Sequence, residues 1–134
     1  MSKVPPEFQG GKYYAMVAKK AYESIREVDS DTPIVYGVTA GAPEAWINDV
    51  LEELGDLNNS MSAFSFHTYS IVDNKFTSPN NYQYEQYFNI IRKALDKYVP
   101  TMPIWLTETG WPTHTGNFGG PSGVTEREAA IYAV

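Results

Sequence analysis

A glutamate ends a short apolar run in the stretch MPIWLTETGWPTHTG, residues 102–116. The run IWLTE predicts a buried strand that finishes on Glu108. Burying an isolated carboxylate costs free energy unless the group is paired or hydrogen-bonded. A carboxylate at this position is therefore paired, hydrogen-bonded or used in chemistry as a nucleophile or general base.

A second polar group lies at the end of the preceding predicted strand, in MSAFSFHTYS, residues 61–70. Its alternate residues Ser65, His67 and Tyr69 share one face of a strand. Tyr69 could donate a hydrogen bond to Glu108, His67 could bind a sugar hydroxyl, and Trp111 could stack under a sugar ring. This combination suits glycoside hydrolysis, which uses two carboxyl groups.

Each of these residues also has a purely structural interpretation. Glu108 could pair with an arginine, His67 could be a buried structural histidine, and Tyr69 could lie at the edge of the core. Trp111 precedes a proline and could simply pack in a turn. The functional interpretation depends on their joint occurrence at the ends of consecutive strands.

No other motif suggests a different chemistry. The glycine-rich loop GNFGGPSG lacks the lysine of a phosphate-binding loop, and there is no G-x-S-x-G motif. A metal site would have to combine His67 and His114 with Glu108 or Asp73, and their spacing resembles no known ligand set. We therefore expect neither a metal nor a cofactor.

The elements that position these residues alternate between helix and strand. Apolar periodicity predicts strands at 33–41, 61–70 and 104–108, and helices at 12–28, 44–57, 84–98 and onward from 125. Thr125 and Glu128 form a capping box at the start of the last helix. This order predicts right-handed βαβ units and a parallel sheet, whose strand ends carry the functional residues.

Composition narrows the possible partners. The chain has 134 residues, enough for one domain, with a net charge of −6 and a pI of about 4.8. This acidic balance disfavours nucleic acid and anionic membrane surfaces, and no apolar run is long enough to span a bilayer. There is no cysteine, and the start of the chain lacks the pattern of a signal peptide, so localisation stays open.

The site residues lie in segments that resemble a known family. WLTETGWPT is similar to the seventh-strand signature of the clan A glycoside hydrolases, retaining (β/α)8-barrel enzymes such as those of families 5, 17 and 39. FSFHTYS resembles their sixth-strand H-x-Y motif, and residues 13–41 resemble the helix after strand four running into strand five. The resemblance implies that Glu108 is the nucleophile and that His67 and Tyr69 line the subsite, with Tyr69 contacting the nucleophile.

The same resemblance implies a partial TIM barrel in an α/β fold. Residues 1–134 would form one partial barrel domain, about strands five to seven with flanking helices, incomplete at both ends. A complete barrel takes about 250 residues. The clan's acid/base follows an asparagine, but this sequence has no Asn-Glu dipeptide, and the neighbours of Glu7 do not match. We therefore expect the C-terminal part of a retaining glycosidase, inactive or nearly so without its acid/base.

Two alternatives remain open at this point. The first is a non-catalytic half-barrel that binds oligo- or polysaccharide and self-associates through its open strand edges. The second is a free-standing three-layer α/β protein with an unrelated function. The sequence does not specify the sugar, the linkage, or exo versus endo action.

Overall fold

The computed structural model describes residues 10–81, 83–114 and 120–133, apart from the side chain of Val38. These residues form four α-helices and five strands. In chain order the elements are α1 (Gly10–Val28), β1 (Val35–Ala40), α2 (Glu44–Leu54), β2 (Ala63–His67), β3 (Ile71–Val72), β4 (Lys75–Phe76), α3 (Gln83–Leu95), β5 (Ile104–Glu108) and α4 (Glu126–Tyr132).

The main sheet has three parallel strands in the order β1–β2–β5. Consecutive strands of this sheet are therefore neighbours, and helices α2 and α3 lie in the connections between them. The predicted parallel α/β arrangement is confirmed. The strands in the described part of the chain do not close into a barrel.

The core lies where helices α2 and α3 pack against the central strand β2. Helix α2 buries Ile47, Val50, Leu51 and Leu54, which follow the i, i+3, i+4, i+7 spacing of an amphipathic helix. The ring of Phe64, at the middle of the sheet, is fully buried. This packing fixes β2, which carries the first of the candidate site residues at its carboxyl end.

Helix α2 is shorter than the predicted 44–57. It ends at Leu54 because Gly55 adopts a φ of +56°, in the left-handed region that favours glycine, and a 3-10 turn follows over Gly55–Ser60. The side-chain amide of Asn58 donates to the carbonyl oxygens of Leu51 and Gly55, at 2.8 and 2.7 Å. The Leu51 carbonyl also accepts the last helical N–H, from Gly55, so Asn58 ties the end of the helix to the 3-10 turn.

Three further boundaries differ from the sequence prediction. The predicted strand 61–70 is confirmed only over β2, and the predicted loop at 73–81 begins inside a small antiparallel hairpin, β3–β4. Its turn residues Asp73 and Asn74 have φ of +48° and +58°, the backbone of a tight hairpin turn. Helix α3 ends at Leu95, three residues before the predicted end, whereas the capping box of Thr125 and Glu128 is confirmed.

Strand β5 is not buried, contrary to the expectation for residues 104–108. The side chains of Trp105 and Leu106 point to opposite faces of the strand and are 50% and 39% exposed. The reason is that the described elements leave both faces of β5 partly uncovered, at the edge of the sheet where it pairs with β2 alone among the described residues. A parallel strand is fully buried only when both of its faces are covered.

Asn58 is the polar residue on which the core depends most. Its side chain is 1% exposed, and its oxygen accepts a hydrogen bond of 3.0 Å from the Tyr36 hydroxyl. We expect Asn58→Ala to lower the free energy of unfolding by about 1–3 kcal/mol, because the buried Tyr36 hydroxyl loses its acceptor. Urea denaturation measures the change. Asn59→Ala, at the exposed neighbouring position, is the control, and an equal loss in both variants would contradict this role of Asn58.

Candidate functional site

The carboxyl ends of the three parallel strands form one row. Ala40 and Glu108 are the register partners of His67 on its two sides. Backbone hydrogen bonds extend this pairing past the strand ends: Gly41 N–H donates to His67 O at 2.7 Å, and Thr68 N–H donates to Glu108 O at 3.2 Å. These backbone hydrogen bonds therefore fix the positions from which the side chains at this edge project.

Glu108 receives a polar neighbour at each carboxylate oxygen. The Tyr69 hydroxyl donates a hydrogen bond to Oε1, and His67 Nδ1 lies 3.5 Å from Oε2. The Glu108 side chain is 54% exposed, so solvent or a ligand can reach it. The structure thus brings together three of the residues predicted from sequence, and among the described residues no arginine pairs with Glu108.

Tyr69 is held as a hydrogen-bond donor. Its hydrogen bond to the Glu108 carboxylate raises the pKa of the Tyr69 hydroxyl, and burial and the nearby negative charge act in the same direction. The ring packs edge-on against Phe76 of β4, with centroids 6.1 Å apart. Tyr69 lies beyond the end of β2, so the loop into the β3–β4 hairpin places it, rather than strand alternation.

Trp111 occupies a different cluster from the one predicted. Its indole N–H donates to the Thr77 carbonyl at 2.7 Å, and its ring packs against Tyr132 of α4 with centroids 5.6 Å apart. These contacts tie the loop after β5 to the segment after β4. Trp111 does not line the cleft that adjoins His67, described next.

A cleft of about 230 Å³ adjoins the Tyr69–Glu108 pair. Strand ends line one side of it, and the first turns of α3 line the other. The residues that form its walls include Gly41, His67, Tyr69, Ile71, Gln83 and Tyr87. The cleft therefore lies between His67 and Tyr69, the two neighbours of Glu108, and helix α3, for which the sequence predicts only an amphipathic face.

Two residues at the start of α3 escaped the sequence analysis. The Tyr84 hydroxyl is hydrogen-bonded to the Thr109 hydroxyl, directly after Glu108. Gln83 accepts a backbone hydrogen bond from Ile71. The available signal was the polar and tyrosine-rich start of this helix, QYEQY, where core packing alone does not require glutamine or two tyrosine hydroxyls.

The described residues show neither a metal-ligand cluster nor a helix able to span a membrane. In residues 10–81, 83–114 and 120–133, no three histidine, aspartate or glutamate side chains are grouped around a common point. No helix in these ranges is both long and apolar enough to cross a bilayer. Comparisons of the chain with protein-family models, curated proteins and solved structures found no match.

The hydrogen bond between Tyr69 and Glu108 predicts a change in tyrosine titration. In Glu108→Gln the anionic acceptor is gone, so the pKa of Tyr69 should fall back toward the usual value of about 10. Titration followed by the ultraviolet absorbance of tyrosinate should show one more tyrosine ionising in the ordinary range. Glu52→Gln, at an exposed position of α2, should titrate as wild type.

The same shift sets the sign of a stability effect. Because the folded-state pKa of Tyr69 is raised, its contribution is fully present below the ordinary tyrosine pKa and is lost as pH rises through the folded-state value. The advantage of wild type over Tyr69→Phe should therefore shrink at alkaline pH. Superimposable titration curves for wild type and Glu108→Gln would contradict the assigned hydrogen bond.

Proposed function

We propose that Glu108 is the nucleophile of a retaining glycoside hydrolase and that the chain is part of such an enzyme. The observation that carries the proposal is the Tyr69 hydroxyl on Oε1 of Glu108, with His67 beside Oε2. A carboxylate that accepts a hydrogen bond from a neutral donor keeps its negative charge and a defined direction. Both properties are required of a glycosidase nucleophile.

The reaction follows from this arrangement. An oxygen of Glu108 attacks the anomeric carbon of the sugar, the bond to the leaving oxygen breaks, and a glycosyl–enzyme ester forms. Water then cleaves the ester and restores the carboxylate. Tyr69 orients Glu108, and His67 binds a sugar hydroxyl. A second carboxyl group must protonate the leaving oxygen, and we assign that role to no residue of this chain.

We also infer that the three-stranded sheet is part of a (β/α)8 barrel. Its strands would correspond to barrel strands five, six and seven, with α2 and α3 as the intervening helices. Two features support this assignment: the spatial order β1–β2–β5 follows the chain order, and all pairings are parallel. In such barrels, active sites lie at the carboxyl ends of the strands, where Glu108 and His67 are found.

A mechanism-based label tests the nucleophile. Dinitrophenyl 2-deoxy-2-fluoro-β-glycosides need no protonation of their leaving group, so they report on Glu108 without an acid/base. We expect one of a panel of glucosyl, galactosyl, mannosyl and xylosyl reagents to label the chain on the peptide that contains Glu108. Mass spectrometry of the digested protein locates the label.

Two variants make this test specific. Glu108→Gln should take no label, because an amide oxygen is a far weaker nucleophile than a carboxylate. Glu52→Gln removes an exposed carboxylate away from the strand ends and should label as wild type. A label on another residue, or no label with any of the four sugars, would rule out Glu108 as the nucleophile.

A carbohydrate-binding module without hydrolysis is the second candidate. The observation that favours it is the cleft beside His67, whose polar and aromatic walls could hold a sugar without a proton donor. This candidate predicts that titration calorimetry detects oligosaccharide binding by the wild-type chain while the fluorosugars leave Glu108 unlabelled. Labelling of Glu108 would exclude it.

A further inference from the structure

The side-chain amide of Gln83, the first residue of α3, has a fixed orientation. Its Oε1 accepts the backbone N–H of Ile71 at 2.9 Å, so the amide nitrogen is on the other side of the group. Among the described residues, this nitrogen has no hydrogen-bond partner. Because Gln83 lines the cleft, its two amide N–H donors are available to a ligand there and have no acceptor in the described part of the chain.

Tyr87 lies four residues after Gln83 and therefore on the same face of α3. Its ring lies against the backbone of Gly41, where an added Cβ would be 3.4 Å from the nearest ring carbon. Gly41 itself has a φ of +76° and donates to His67 O, so the strand end and the ring are positioned together. The Tyr87 hydroxyl has no hydrogen-bond partner within the described parts of the chain.

These groups converge with His67 on one small space. The Nδ1 atom of His67 faces Glu108, and its ring also lines the cleft. An aromatic ring with a few convergent polar groups is typical of a ligand site. The volume of about 230 Å³ is below the roughly 300–1,000 Å³ of most small-molecule pockets, which fits a single sugar ring better than several.

We propose that Gln83 and Tyr87 are specificity-determining residues that bind the hydroxyls of one sugar residue of the substrate, in the cleft beside His67. This inference rests on the proposed function in taking the ligand to be a carbohydrate. The chemistry of the groups agrees with that class: amide N–H donors require an acceptor oxygen, and a tyrosine hydroxyl can donate or accept. A sugar hydroxyl offers both an acceptor and a donor, and Glu108 beyond His67 marks the reacting end of the site.

Two nearly isosteric substitutions test the subsite. Gln83→Glu keeps the oxygen that accepts from Ile71 but replaces the N–H donors, and Tyr87→Phe removes only the hydroxyl. The probes are cellotriose, laminaritriose, β-1,4-mannotriose and β-1,4-xylotriose, titrated calorimetrically into the 134-residue chain. We expect each variant to bind the best of these trisaccharides about tenfold more weakly than wild type, the loss typical of one hydrogen bond.

Matched controls separate this effect from charge and folding. Gln86→Glu makes the same change of charge at an exposed position of α3, and Tyr98→Phe removes the hydroxyl of a partly exposed tyrosine. Both should bind as wild type. Equal urea midpoints for all variants show that the fold is kept.

Different experimental results would refute the subsite proposal and the nucleophile proposal. If wild type binds none of the four trisaccharides, or if Gln83→Glu and Tyr87→Phe bind as tightly as wild type, the subsite is refuted whatever the labelling shows. If both variants weaken binding but the fluorosugars do not label Glu108, the subsite holds and the hydrolase proposal fails. Weakened binding together with labelled Glu108 supports both.

Discussion

The parallel pairing of β2 on both of its sides is the constraint on which the site depends. Phe64 anchors β2 in the core, and the hydrogen bonds to β1 and β5 fix the register of β2 with both neighbouring strands. A one-residue slip would turn every side chain of β2 to the opposite face. The position of His67 between Ala40 and Glu108 is thus a consequence of core packing in the middle of the same strand.

The electrostatics of the site follow from the kind of neighbours that Glu108 has. A guanidinium partner would neutralise the carboxylate and occupy both of its oxygens. The tyrosine hydroxyl instead takes one oxygen without contributing a charge, and the imidazole stands at 3.5 Å from the other. This leaves a partly exposed anion with a preferred direction, which suits attack on an electrophilic carbon better than it suits a structural ion pair.

Local pattern was enough to predict the α/β order, the capping box and the meeting of His67, Tyr69 and Glu108. Each depends on residues close together in sequence or on the general rule that parallel strands end at one edge. The exposure of β5 was not predictable in this way, because apolar composition gives no information on whether a strand is central or at an edge. The cleft residues were missed for a related reason: Tyr87 meets Gly41, and Gln83 meets Ile71, only through the tertiary packing of α3.

Much of the site's geometry is set by main-chain atoms. Backbone amides and carbonyls of Gly41, His67, Thr68 and Glu108 join the strand ends, and a backbone N–H orients Gln83. The Trp111 indole likewise binds a backbone carbonyl. Side chains that face the ligand can therefore be exchanged during evolution without dismantling the arrangement that presents them. Under the proposed function, such a division would let descendants of this chain acquire new sugar preferences by single substitutions while Glu108 kept its place.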